Sequence, residues 1–145
     1  MTGPLSRSVE DYLKAVFRLA ERLEWVSTTD IAERLGVAPA SATGMVKRLA
    51  ESGHLEHQPY RGVRLTEAGR TAALAVVRRH RIIETFLITK LAYDWSNVHE
   101  EAERLEHSAS DELIERMALR SDSRATIRTA RRSPRARAAS SARRT

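Results

Sequence analysis

The chain has 145 residues, enough for one or two small domains with a modest core, and a formal net charge of +6. It contains no cysteine, which excludes disulfides and thiolate metal ligands. The opening MTGPLSRSVEDYL lacks the apolar stretch of a signal peptide and no apolar run approaches a membrane span, so the expectation is a cytoplasmic protein with no membrane partner.

The charge is unevenly spread. Residues 118–145 carry nine arginines and one acid, a local charge of +8, which leaves residues 1–117 at −2. The basicity belongs to the C-terminal stretch, and any case for DNA binding has to rest on pattern.

In chain order, residues 6–22 set Val9, Leu13, Val16, Phe17 and Ala20 at helical spacing, with Ser6 or Ser8 as the cap. STTDIAERLGV predicts a short second helix with Thr28 or Thr29 at its N-cap, an apolar face of Ile31, Ala32 and Leu35, and Gly36 as its stop. APASATGMVKRLAESG predicts a third helix, with Pro39 in its first turn and Gly53 past its end. Strands at 54–58 and 62–66 around PYRG form a hairpin attached to that helix. A long helix then runs to about residue 91, with Ala72, Leu74, Val76, Val77, Ile83, Phe86 and Leu87 as core candidates. Helices at about 95–107 and 109–117 follow, and the Arg/Ala/Ser/Thr-rich residues from 118 have the composition of a disordered tail.

Two short helices joined by a glycine-containing turn and followed by a hairpin form a winged helix-turn-helix pattern. Its second helix is the one that enters a major groove. That helix presents Ala40, Ser41, Thr43, Gly44, Lys47 and Arg48 on its outer face. Small residues allow close approach to bases and thymine methyls, hydroxyls can bond to bases or phosphates, and the basic pair suits phosphates. Thr28 at the start of the preceding helix, and Arg61 and Arg64 on the wing, complete the expected contact set. A solvated basic helix face is the bland alternative, and the helix–turn–helix–hairpin order argues against it.

The second half carries a different signal. In HEEAERLEH, residues His99, Glu103, Glu106 and His107 share one helical face, and in HRIIE residues His80 and Glu84 stand four apart. Taken singly, each is more often a surface ion pair than a ligand pair. Taken together, they are a nitrogen and oxygen donor set without sulfur, which suits Mn²⁺ or Fe²⁺ and is also accepted by Zn²⁺, Co²⁺ and Ni²⁺. The chain lacks HExxH, a serine or cysteine nucleophile motif and a phosphate loop, so it does not read as an enzyme.

EDYLKAVF, IAERLGVAPASATGMVKRL, YRGVRLTEAGR, RRHRIIETFL and VHEEAERLEHSASDEL together resemble the diphtheria-toxin-repressor family of metal-dependent transcriptional repressors, in its manganese-transport-regulator branch. The resemblance covers about residues 8–117. It implies a mainly α fold: a winged helix-turn-helix DNA-binding domain over 1–70, then a helical metal-binding and dimerisation domain over 71–117, with the Arg-rich tail at 118–145. It also implies two groups of ligands, Asp11 with Glu103, Glu106 and His107, and His80 with Glu84 and His99.

The iron-responsive branch has methionine and cysteine where Asp11 and Glu103 stand, so the hard carboxylates here point to Mn²⁺ as cofactor, with Fe²⁺ as the alternative. Lys14 occupies a position where the short manganese regulators carry another glutamate ligand. The expected function is a manganese-responsive repressor of metal-uptake genes that binds double-stranded operator DNA as a metal-loaded homodimer. An iron-responsive repressor is the alternative within the class, and a metal-independent winged-helix scaffold the alternative outside it. The dimer is expected through the helices of residues 71–117, because Ile82, Ile83, Phe86, Leu87 and Leu91 exceed what one small core needs. Where longer members continue into a third, SH3-like domain, this chain has its basic stretch, read either as a natural tail adding nonspecific DNA affinity or, by its Arg/Ala/Ser/Pro composition, as the product of a shifted reading frame.

Overall fold

The structure, a computed structural model, describes residues 5–121. The described chain is six helices and one two-stranded sheet, and it divides into two compact units between Arg78 and Arg79.

In the first unit α1 (Arg7–Leu19) starts at Ser6, whose hydroxyl accepts the Val9 amide. α2 (Thr28–Leu35) is capped by Ser27, which accepts the Asp30 amide, and ends on Gly36 at φ 65°. The sequence expectation of Thr28 or Thr29 at that cap is corrected by one residue. Ser27 has the extended backbone a cap requires, and Thr28 is already the first helical residue. α3 (Pro39–Glu51) opens on its proline, where the missing amide costs no hydrogen bond.

β1 (Leu55–Gln58) and β2 (Gly62–Leu65) pair antiparallel, with Glu56 opposite Arg64 and His57 opposite Val63. Val26, just before α2, adds a bridge to Val63 through two 2.8 Å backbone bonds, which ties the hairpin to the helices. Gly62 makes that approach possible. Its φ is 114°, and a Cβ there would overlap the Val26 carbonyl. The core of this unit gathers Leu13, Val16, Val26, Ile31, Val46, Leu49 and Val63.

Thr66 connects the wing to α4 (Glu67–Leu91). Its hydroxyl donates to Gly53 O at 2.6 Å and accepts the Gly69 amide, while its own amide reaches His54 O. Gly69 lies so close to that turn that a Cβ would collide with the His54 carbonyl oxygen.

The second unit holds the C-terminal part of α4, then α5 (Val98–Glu106) and α6 (Asp111–Ser121). Ile83, Leu87, Val98, Ala102 and Ile114 form its core. Along α4 the buried positions Ala73, Val76, Val77, His80, Ile83 and Leu87 keep a helical stripe. Leu74, expected in the core, lies one residue off that stripe and is exposed, with Ala73 buried in its place. Ala20 is exposed as well, because α1 has ended at Leu19. Phe86 is only half-buried.

α6 continues four residues beyond the end expected at residue 117. Ala118, Leu119 and Arg120 favour the helix, and Ser121 donates its hydroxyl back to Met117 O at 2.7 Å. The remainder of the Arg-rich stretch, with the expectation of a disordered tail, lies outside the described residues. No helix among the described residues is long and apolar enough to cross a membrane.

Candidate metal centre and nucleic-acid interface

α3 keeps its buried side as Ala42, Met45, Val46 and Leu49. Helical geometry then turns Ala40, Ser41, Thr43, Gly44, Lys47 and Arg48 outward, and all six are exposed. Thr43 donates its hydroxyl to Pro39 O at 3.0 Å, which leaves the exposed oxygen with acceptor capacity. Thr28, half-buried at the start of α2, shares an open groove with Thr43, Val46, Lys47, Ala50, Glu51 and His57. Glu51 and His57 were not among the residues expected there.

The two wing arginines differ. Arg61, at the turn, is exposed, with its guanidinium 6.0 Å from the Trp25 ring centre. Arg64 is committed within the fold. It bonds to Glu56 Oε2 at 2.8 Å across the strand pair and stacks 4.5 Å from the Trp25 ring centre. Between the strands, Tyr60 takes φ 67° and is fully exposed.

In the second unit α4 and α5 bring five of the expected ligands, with His107 just past the end of α5, into one connected set. His80 is its hub. Its Nδ1 lies 2.5 Å from Glu106 Oε2, and its Nε2 lies 2.7 Å from Glu84 Oε1 and 3.1 Å from His99 Nδ1. His99 Nδ1 is also 2.9 Å from Glu84 Oε1, and its Nε2 is 3.2 Å from Glu103 Oε1. Glu106 Oε1 stands 3.2 Å from His107 Nε2.

Local structure explains the grouping. His80 and Glu84 are one turn apart on α4, and His99 and Glu103 are one turn apart on α5. Exposure is graded, since His80 and Glu106 are buried while His99 and Glu103 are exposed. Burial opposes ionisation of Glu84, but hydrogen bonds from His99 and His80, helped by their charge, outweigh it and hold its carboxyl below the ordinary glutamate range.

His80, Glu84 and His99 each offer a ligand atom within 4.8 Å of the others, close enough for one ion. The donors are imidazole nitrogens and carboxylate oxygens only, a set suited to a first-row divalent cation. Glu106 is a buried carboxylate set between His80 and His107, so it adds oxygen donors to the same nitrogen and oxygen set, whose chemistry fits a metal. Asp11 lies half-buried on α1 in the first unit, with Lys14 one turn along the same helix.

A winged helix-turn-helix followed by a helical unit with a histidine–carboxylate cluster defines a class: DNA-binding transcriptional regulators that respond to a metal. The comparisons agree. Residues 4–63 match the iron-dependent repressor N-terminal DNA-binding domain, and residues 66–126 match the iron-dependent repressor metal-binding and dimerisation domain. The chain belongs to this family of metal-dependent transcriptional repressors, whose members are regulators and not enzymes.

An uncharacterized HTH-type transcriptional regulator of Methanocaldococcus jannaschii is 36% identical over 116 residues, covering 79% of this chain and 93% of its own. The HTH-type transcriptional regulator MntR of Lysinibacillus sphaericus is 34% identical over 111 residues, covering 77% of this chain and 79% of its own. A solved manganese-dependent transcriptional repressor, in complex with manganese, is 44% identical with a TM-score of 0.70 and covers 79% of this chain. The chain spans about half the length of that structure, 52%.

The sequence reading passed over Arg79. Its guanidinium takes two main-chain oxygens and one carboxylate at the α5–α6 turn. Its only sequence signal is its place beside His80.

Proposed function

We propose that the chain is a manganese-responsive repressor that binds operator DNA as a homodimer in the cytoplasm and regulates metal-uptake genes. One observation carries the reading: the connected set of His80, Glu84, His99, Glu103, Glu106 and His107, built from nitrogen and oxygen donors with no sulfur. The preference for Mn²⁺ rests on that chemistry and on the carboxylates of Asp11 and Glu103, where softer donors would favour later metals.

In this proposal His80, Glu84 and His99 form one ligand group. Asp11, Glu103, Glu106 and His107 form the other, with Asp11 assigned by the family resemblance. A bound cation relieves the repulsion among the carboxylates and stabilises the arrangement that reads DNA. Ala40, Ser41, Thr43 and Gly44 meet base edges, and Thr28, Lys47, Arg48 and Arg61 meet the backbone. A family domain described as serving dimerisation covers residues 66–126, and Leu91, Trp95, Leu113 and Leu119 are exposed apolar side chains within it, which supports self-association.

The test is an operator titration with Mn²⁺, with Fe²⁺ and with chelator. Tight binding in Mn²⁺ that chelator abolishes is expected. Equal affinity with Mn²⁺ and with chelator would refute metal regulation, and activation by Fe²⁺ alone would move the chain to the iron-responsive branch.

A further inference from the structure

We infer that Arg79 is a positioning residue for the metal centre: it fixes the backbone of the α5–α6 turn, where Glu106 and His107 are mounted. The inference rests on the proposed metal-binding reading of those two side chains. Arg79 Nε donates to Glu106 O at 3.0 Å, Nη1 donates to Asp111 Oδ1 at 2.8 Å, and Nη2 donates to Ala109 O.

A helix leaves its last four carbonyls without intrahelical partners. At the end of α5, Leu105 O accepts the amides of Ser108 and Ala109. Glu106 O, the carbonyl of the last helical residue, accepts from Arg79. Consecutive residues of α4 thus hold one residue of α5 from two sides, Arg79 by its main-chain oxygen and His80 by its carboxylate. Gripping the backbone on one side and the carboxylate on the other fixes the direction of the Glu106 side chain. His107, the next residue, is held by the same restraint.

Arginine suits this task because one planar group aims several donors in fixed directions, which a lysine ammonium does not. The three acceptors come from residues 106, 109 and 111, so the guanidinium spans the whole turn. Asp111 is almost fully exposed, so its ion pair is screened and contributes little. The restraint comes from the two carbonyl bonds, made by a side chain that is only one-fifth exposed.

The test measures Mn²⁺ affinity directly, by equilibrium titration on the full chain without DNA, for the native protein, Arg79→Lys and Arg79→Met. Helix content and thermal midpoint are recorded without metal. Loss of an outer partner that orients a ligand weakens metal binding by about ten- to a hundred-fold. That loss is expected for Arg79→Met with native helix content, and Arg79→Lys should fall between it and the native chain. A lowered midpoint with native Mn²⁺ affinity in both variants would make Arg79 merely structural and overturn the inference. If Arg79→Met does not fold, Arg79→Lys decides, and native affinity in that variant overturns it. If the native chain does not bind Mn²⁺, the metal-site reading itself fails, a result distinct from tight native binding with indifferent variants.

Discussion

At the scale of single residues, Lys47 and Arg48 stand outward on α3 and are exposed. Each is expected to meet one phosphate. Lys47→Ala and Arg48→Ala should therefore weaken binding to all DNA sequences and reduce the salt slope by about one each. Ser41 and Thr43 substitutions should instead change which operator is preferred. Equal affinities and salt slopes across all four variants would rule out α3 as the recognition helix. The wing arginines should also separate. The charge of Arg64 is engaged by Glu56 and Trp25, so Arg64→Ala should cost about 1 kcal/mol of stability and little DNA affinity. Arg61→Ala should do the reverse, and DNA binding with denaturant unfolding on both variants reads the two effects apart. Sequence made no distinction between these arginines. Their difference follows from the pairing register, which sets Glu56 opposite Arg64, and from Trp25, which lies far off in the chain. The histidine–carboxylate cluster was legible because an interval of four places His80 with Glu84, and His99 with Glu103, on single helix faces. Arg79 was not legible. Its partners are mainly carbonyls, which every residue has, and Glu106 is 27 positions away.

At the scale of elements, close backbone approaches that only glycine permits tie the wing to Val26 through Gly62 and α4 to His54 through Gly69. Gly69 is helical, so alanine there would ordinarily stabilise α4 by about 1 kcal/mol. Here the added methyl meets the His54 carbonyl oxygen, which also accepts the Thr66 amide. Gly69→Ala is therefore expected to destabilise the first unit by about 1–3 kcal/mol, as overpacking does. Gly62→Ala should cost at least as much, since strain at φ 114° adds to a clash with Val26 O. Denaturant unfolding of both variants gives the answer, and native or greater stability of Gly69→Ala would mean that the turn yields without cost. The elements were mostly legible, because serine, glycine and proline signals at their ends are local. Ser6, Gly36 and Pro39 act as the sequence suggests, while the cap of α2 fell on Ser27 because Ser27, Thr28 and Thr29 are all capable of it. The phase of α4 was harder to see. Its apolar residues are so dense that Leu74 fits an inward face as well as Ala73 does, and packing decides between them.

At the scale of the whole molecule, the proposed function links folding, metal and DNA. A cation that binds the folded chain and not the unfolded one stabilises it by mass action, about 2.7 kcal/mol for one site at a free concentration a hundred times its dissociation constant. Mn²⁺ should therefore raise the thermal midpoint by several degrees, and chelator should reverse the rise. Ionic strength held constant with Mg²⁺ controls for screening, since Mg²⁺ prefers oxygen ligands and bound water to imidazole. Glu106→Gln provides the matched comparison, because an amide keeps the size of the side chain and an oxygen for His80 Nδ1 while removing the charge. It should fold without metal, lose most of the Mn²⁺-dependent rise and lose Mn²⁺-dependent operator binding. Sedimentation at micromolar concentration with Mn²⁺ present should give a dimer for the native chain, and a monomer there would contradict the proposed assembly. A native midpoint indifferent to Mn²⁺ would mean that the histidine–carboxylate set serves only the fold. A midpoint that rises equally in the native chain and in Glu106→Gln would place the stabilising ion elsewhere in the molecule.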